Sequence, residues 1–288
     1  MNHLKQPAAG VKLALGAIFT MASAVCGCAY DVNLDQKVRV ACIGDSNTAP
    51  GYGGVCARLT NAYKPADPAQ ATAYRDWGLL FQTYARAGST ALDTPAGDPE
   101  DASGQLNRAL LGARPAPDAA MTCQTPETWP IEACEWWSAW DKIAVNEKPD
   151  AVVLASGSND IPSAATPSDI HQRLVQLKSV AEGAGVKALI ATVPPRCSCT
   201  QAAGAWSCVP HPTLNPKIDA LNAQLRADRS LDGKILELNE GFSCSTHFIR
   251  ENDGVHVNAA GNDLRFERAN AIITREIAAA VERIQQRP

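Results

Sequence analysis

Residues 151–193 read AVVLASGSNDIPSAATPSDIHQRLVQLKSVAEGAGVKALIATV, and the order of patterns in this stretch decides the fold. Ala151 to Ala155 is a short, β-rich apolar run. Past a polar turn, Ser168 to Ala184 sets Ile170, Leu174, Leu177 and Ala181 on one helical face, and Gly185 stops that helix. Val186 to Val193 is then apolar again, so strand, helix and strand follow one another.

The alternation continues in both directions. Upstream, Val38 to Ile43 is a compact apolar run, Gly51 to Tyr63 can start a helix, and Leu80 to Ala87 is a second strand. Downstream come a helix over Asn215 to Arg229, a short strand over Lys234 to Leu238, and a closing helix from about Ala260 to Gln285. Buried strands alternating with helices of ordinary length predict an α/β fold, with a mostly parallel sheet of about five strands covered on both faces. The active site of such a sheet belongs at the carboxyl ends of its strands.

Two regions stand outside that pattern. Residues near 90–135 are rich in Pro, Asp, Gly and Ala and read as an insertion, with Cys123 and Cys134 as its staple. The tryptophans that follow, Trp129, Trp136, Trp137 and Trp140, fit core packing of a helix beginning near Glu132 better than a substrate platform. At the N-terminus, Lys5 and Lys12 precede an apolar run from Leu13 to Val25, too short to span a bilayer comfortably, which reads as an export signal over residues 1–28. Ala22-Ser23-Ala24 suits ordinary signal removal; Val25-Cys26-Gly27-Cys28 is similar to a bacterial lipobox that would lipidate Cys28 and anchor the chain to a membrane. The second pattern is favoured, although Cys26 is unusual at its place.

The whole-chain numbers set limits. With 288 residues, 45% hydrophobic and 19% charged, the chain can bury one large core, which we assign to a single catalytic domain over residues 37–287. A formal net charge of -4 with basic and acidic residues interspersed leaves no positive face for a phosphate backbone, so nucleic acid is not an expected partner. Ten cysteines are present. Setting Cys26 and Cys28 aside leaves an even set, Cys42, Cys56, Cys123, Cys134, Cys197, Cys199, Cys208 and Cys244, which an oxidising compartment would let pair. Cys42 equally suits a small core residue. Cys197, Cys199, Cys208 and His211 could instead hold zinc, but exported cysteines clustered in a loop with Gly and Pro are more often disulfides.

Chemistry-bearing residues gather at the predicted strand ends. Gly44-Asp45-Ser46-Asn47 follows the first strand, where a helix N-terminus would direct backbone donors toward negative charge. In isolation the serine reads as a helix cap. Asp253-Gly254-Val255-His256 supplies what a serine nucleophile needs: an imidazole to take its proton and a carboxylate to hold the imidazole's tautomer. In isolation that segment equally suits a surface turn and the cap of the last helix. Gly157-Ser158-Asn159-Asp160 ends another strand, and the Asn159 amide can join backbone N–H groups in an oxyanion hole. Gly88 can present a backbone N–H where a side chain would obstruct close approach.

Taken in order, these four blocks resemble the SGNH, or GDSL-type, hydrolase family, and the resemblance spans the chain from about Lys37 to the last helix. It implies a flavodoxin-like three-layer α/β/α sandwich, Ser46 as nucleophile, His256 as base, Asp253 as its orienting carboxylate, and an oxyanion hole from the Ser46 and Gly88 backbone with the Asn159 side chain. It implies neither metal nor organic cofactor. Asn47 stands where the family's name has leucine, and Val257 where a proline often follows the histidine. No Gly-x-Ser-x-Gly elbow surrounds Ser46, which argues against the α/β-hydrolase fold. The expected reaction is ester hydrolysis, with short acyl groups on a carbohydrate favoured. The alternatives are a lipase, lysophospholipase or thioesterase on longer chains, an acyltransferase, and a catalytically silent glycan-binding module.

Overall fold

The computed structural model describes residues 38–49, 54, 56, 79–93, 101–112, 148–248 and 254–285. Its centre is a sheet of five parallel strands: β1 (Val38–Gly44), β2 (Leu79–Thr83), β3 (Ala151–Ala155), β4 (Lys187–Ala191) and β7 (Ile235–Leu236), in the order β2-β1-β3-β4-β7. That is the flavodoxin-like order, in which the chain turns back between β1 and β3 and opens a crevice at their carboxyl ends.

Strand residues alternate between two cores because successive side chains leave opposite faces of the pleat. Ala41, Ile43, Val152, Leu154, Ala188 and Ile190 pack on one face, against helices α1 (Ala102–Leu110), α2 (Pro167–Gly183) and α3 (Leu214–Ala227). Val40, Cys42, Val153, Leu189, Ala191 and Leu236 pack on the other, against Ala269 and Ile273 of α4 (Ala259–Gln285). Burial on both faces explains why these strands read as continuous apolar runs.

Local signals set the helix ends. Thr166 caps α2 through a reciprocal pair with Asp169, with Pro167 in the first turn; Gly185 takes a φ of 76° just past its end. The strands are shorter than the apolar runs suggested, since β2 stops at Thr83 and β4 at Ala191. Beyond those points the chain turns into the loops of the crevice.

Two elements were not foreseen. Helix α1 lies inside the stretch read as an insertion, and its Leu106 and Ala109 are fully part of the first core. The hairpin β5 (Cys197–Ala202) and β6 (Ala205–Pro210) replaces an expected loop. Its two connecting residues, Ala203 and Gly204, both have positive φ, the twist that a two-residue hairpin turn requires. The expected helix from Gly51 to Tyr63 falls mostly outside the described residues, as do the export signal, Cys28, the Cys123 and Cys134 pair and the tryptophan cluster.

Candidate active site

Strand β1 ends at Gly44, and the chain turns at once. The Asp45 carbonyl accepts from Thr48 N at 2.9 Å and Ala49 N at 3.0 Å, while Asp45 Oδ1 accepts from Asn47 N at 2.9 Å. Ser46 sits at the apex of this turn. Gly44 is required by close approach: a Cβ there would lie 2.4 Å from Thr48 Oγ1 and 2.6 Å from the Ala155 carbonyl. Thr48 Oγ1 in turn donates to Ala155 O at 3.3 Å, tying the turn to the end of β3.

His256 reaches Ser46 from a different part of the chain. Its Nε2 lies 2.7 Å from Ser46 Oγ, across 210 residues of sequence, a hydrogen bond suited to proton transfer. The loop carrying it belongs to no strand of the central sheet. Gly254 N-terminal to it takes a φ of 56°, and its carbonyl accepts from Cys197 N at 2.7 Å; a Cβ on Gly254 would stand 2.0 Å from the Cys197 carbonyl. On its other side Val257 forms an antiparallel bridge with Phe248, and Asn258 donates through Nδ2 to Thr246 O at 2.8 Å and through its backbone to His247 O at 3.0 Å. Asn47 Nδ2 donates to Val255 O at 3.3 Å, so the serine turn holds the histidine loop directly. Asp253 lies outside the described residues.

The third block follows the carboxyl end of β3. Asn159 Nδ2 donates to Ser89 O at 2.9 Å, beside Gly88, whose φ is 82°. The neighbouring Asp160 carboxylate accepts from Ala91 N at 2.7 Å and Leu92 N at 3.1 Å, which pins the Gly88 loop to the end of β3. Burial pushes the Asp160 carboxyl up, against these backbone donors. Gln105 of α1 closes the same corner by accepting from Gly44 N at 3.0 Å and donating to Ser89 Oγ at 2.9 Å. Among the described residues, no protein acceptor takes the backbone N–H of Ser46 or Gly88.

Sequence reading missed the charges beneath the serine. Asp45 is 2% exposed and Arg265, from α4, 3%. Desolvation pushes the Asp45 carboxyl up to about 6, although the Asn47 N–H and the Arg265 charge pull it down. Burial lowers the Arg265 guanidinium to about 10, still charged at neutral pH. Arg265 Nη1 donates to Asn47 O at 3.1 Å, and its guanidinium lies 5.7 Å from the centre of the Phe242 ring. Together they line a small cavity with Cys42, Val153, Ser156 and Leu238. No local pattern around Arg265 announces this, because its helical neighbours read as an ordinary amphipathic surface.

The cysteines resolve the open alternatives. Cys42 bonds Cys56, Cys197 bonds Cys244 and Cys199 bonds Cys208. Cys42 is thus both a core residue and a disulfide partner, and the three sulfurs considered for zinc are paired with sulfur. His211 turns its Nδ1 to the backbone N–H of Thr213 and Leu214 at the start of α3. Cys197, Cys244, Phe248 and Val257 form a small separate core under the histidine loop.

Compared by three-dimensional structure, the chain is similar to a member of the lipolytic protein G-D-S-L family from Veillonella parvula, at 16% identity and a TM-score of 0.48, over 83% of this chain and 99% of the other. It is also similar to TesA, at 17% identity and 0.49, over 83% and 99%, and to the acetyl xylan esterase AlAXEase, at 13% and 0.48, over 82% and 100%. No protein-family model and no curated protein matches the sequence.

Proposed function

We propose that this chain is an exported serine esterase of the SGNH type, hydrolysing carboxylic esters through an acyl-serine at Ser46. The observation that carries the reading is the 2.7 Å contact between His256 Nε2 and Ser46 Oγ at the carboxyl end of the central sheet. A hydroxyl is a weak nucleophile at neutral pH, and a neutral imidazole at that distance can take its proton as Oγ attacks the ester carbonyl. The carbonyl oxygen then carries negative charge, for which we assign the Ser46 and Gly88 N–H groups and the Asn159 amide as donors. Collapse of the tetrahedral species breaks the ester C–O bond, and the imidazolium returns its proton to the departing alkoxide. Water, deprotonated by the same imidazole, releases the acid and restores Ser46. Asp253 is assigned to hold the far nitrogen of His256, three residues away in sequence, as the four-block resemblance implies.

The acyl group we assign is short, acetyl foremost, on a carbohydrate, because an exported enzyme of this kind resembles carbohydrate O-deacetylases; the ordered sequence blocks support ester hydrolysis and leave the acyl group open. Three disulfides among the described residues support an oxidising compartment. Among the described residues no helix is long and apolar enough to cross a membrane. The N-terminal segment, ending in the lipobox-like Cys28, is the proposed export signal and anchor.

Ser46→Ala is the direct test. With a p-nitrophenyl acetate substrate, kcat should fall by at least about 10⁴-fold while the urea midpoint stays put. Full turnover by a folded variant would sink the mechanism. A series of esters with lengthening acyl chains tests the substrate class, since a clear preference for long chains rejects the acetyl assignment.

A further inference from the structure

Arg196 belongs to none of the four sequence blocks, yet it touches the third. We propose that Arg196 is the positioning residue of the oxyanion hole, fixing which way the Asn159 amide faces; the proposal rests on the esterase reading above. Its Nη2 donates to Ser158 O at 2.7 Å and lies 3.3 Å from Ser158 Oγ and 3.5 Å from Asn159 Oδ1. On the far side, Asn159 Nδ2 donates to Ser89 O at 2.9 Å. The amide therefore stands between a cation facing its oxygen and a carbonyl oxygen facing its nitrogen. Half a turn about the terminal bond would set Nδ2 against the guanidinium and Oδ1 against the Ser89 carbonyl, two contacts of like polarity. One orientation survives. In it, one hydrogen of Nδ2 is spent on Ser89 O, and the second is the hydrogen assigned to the reacting carbonyl.

The guanidinium hangs from a backbone that is itself held. Arg196 N donates to Asn215 Oδ1 at 2.8 Å, and its carbonyl accepts from His211 N at 2.9 Å. The next residue is Cys197, bonded to Cys244, whose backbone N–H holds the Gly254 carbonyl in the histidine loop. Two adjacent residues thus serve the two sides of the crevice: the Arg196 side chain the oxyanion side, the Cys197 backbone the base side. All three contacts come from one nitrogen, Nη2, whose place is fixed by the rigid guanidinium plane; an ammonium on a flexible stem could reach Ser158 O but would not hold its charge beside Asn159 Oδ1 as firmly.

The test compares Arg196→Met and Arg196→Lys in the full mature chain, using p-nitrophenyl acetate. Arg196→Met should lower kcat about 100-fold, the scale of losing one oxyanion donor, with KM changed by less than about threefold and the shape of the pH profile unmoved. Arg196→Lys should recover about tenfold of that loss. In an Asn159→Ala background, Arg196→Met should add less than about threefold, because the group it positions is gone. Additive losses in the double variant, or a wild-type kcat in Arg196→Met, would overturn the proposal. A high-resolution crystal structure of Arg196→Met gives a readout independent of activity: Asn159 Nδ2 should leave Ser89 O, and an unmoved amide would overturn the assignment. Failure of the wild-type chain to hydrolyse esters would instead count against the esterase reading, with the amide orientation still deciding the role of Arg196.

Discussion

The serine turn and the histidine loop meet at one hydrogen bond, but they are built in opposite ways. The turn at Asp45–Thr48 grows out of a central strand; contacts within five residues and with the end of the adjacent β3 shape it, and Gln105 of α1 and Arg265 of α4 brace it. The histidine loop has no strand of the central sheet behind it. It is held by the Cys197 backbone, by the bridge from Val257 to Phe248, and by a disulfide closing 47 residues between Cys197 and Cys244. Secondary structure carries the proposed nucleophile, and covalent and tertiary clamps carry the proposed base, so damage to the two sides should look different.

Breaking the clamp on the base side should cost most. The Cys197→Ala, Cys244→Ala double variant loses a cross-link whose 47-residue separation is worth about 4 kcal/mol in chain entropy; the 14-residue separation of Cys42 and Cys56 is worth about 3 kcal/mol. Urea melts of both double variants should preserve that order, and the first should also lose esterase activity at denaturant concentrations where the fold persists. A clamp variant whose activity and global unfolding coincide would show that the two sides are not mechanically separate.

At the proposed oxyanion hole the expected loss is in rate. Asn159→Ala should lower kcat by about 10²- to 10³-fold, roughly 3 to 4 kcal/mol of transition-state stabilisation, with little change in KM. Steady-state kinetics against the same acetyl ester reads it. A rise in KM at constant kcat would place Asn159 in ground-state binding instead.

Beneath the serine turn the expected effect is on pH. The Asp45 carboxyl, raised from its ordinary 3.8 to about 6, binds its proton more tightly in the folded chain than in the unfolded one. Its stabilising contribution is complete below about pH 4 and is lost as the pH rises through about 6, by about 3 kcal/mol. Asn at this position cannot titrate. Relative to wild type, Asp45→Asn should therefore gain about 3 kcal/mol between pH 3.5 and 7, measured by urea unfolding at each pH. A constant difference would mean that burial does not control this group.

Far from either loop, Thr166→Ala removes the side-chain half of the α2 cap and should cost about 1 kcal/mol, with kcat unchanged. Thermal unfolding and the acetyl-ester assay together check it. A change in kcat would extend the site's mechanical reach beyond the crevice.

Much of this architecture is legible in local patterns. Alternating apolar runs give β1, β3 and β4 within a few residues, and the cap at Thr166 and the glycine at 185 bound α2 as capping chemistry demands. The hairpin β5–β6 was not legible because its strands carry little β-branched alternation and its turn is Ala203-Gly204 rather than the usual Asn-Gly. Helix α1 was hidden by the glycine, proline and aspartate around it. Gln105 is a polar residue in its buried face, where its amide joins Gly44 to Ser89.

By itself the sequence determined an α/β sheet, because strand and helix patterns act over a few residues, and the resemblance carried by its four ordered blocks singled out Ser46, Gly88, Asn159, Asp253 and His256. Only the tertiary structure decided that His256 Nε2 meets Ser46 Oγ, that Cys197 pairs with Cys244, and that Arg196 and Arg265 stand behind the site. Those contacts join residues tens to hundreds of positions apart. Their partners are chosen by which buried polar groups and sulfurs the packed sheet brings within bonding distance, and no local pattern records that choice.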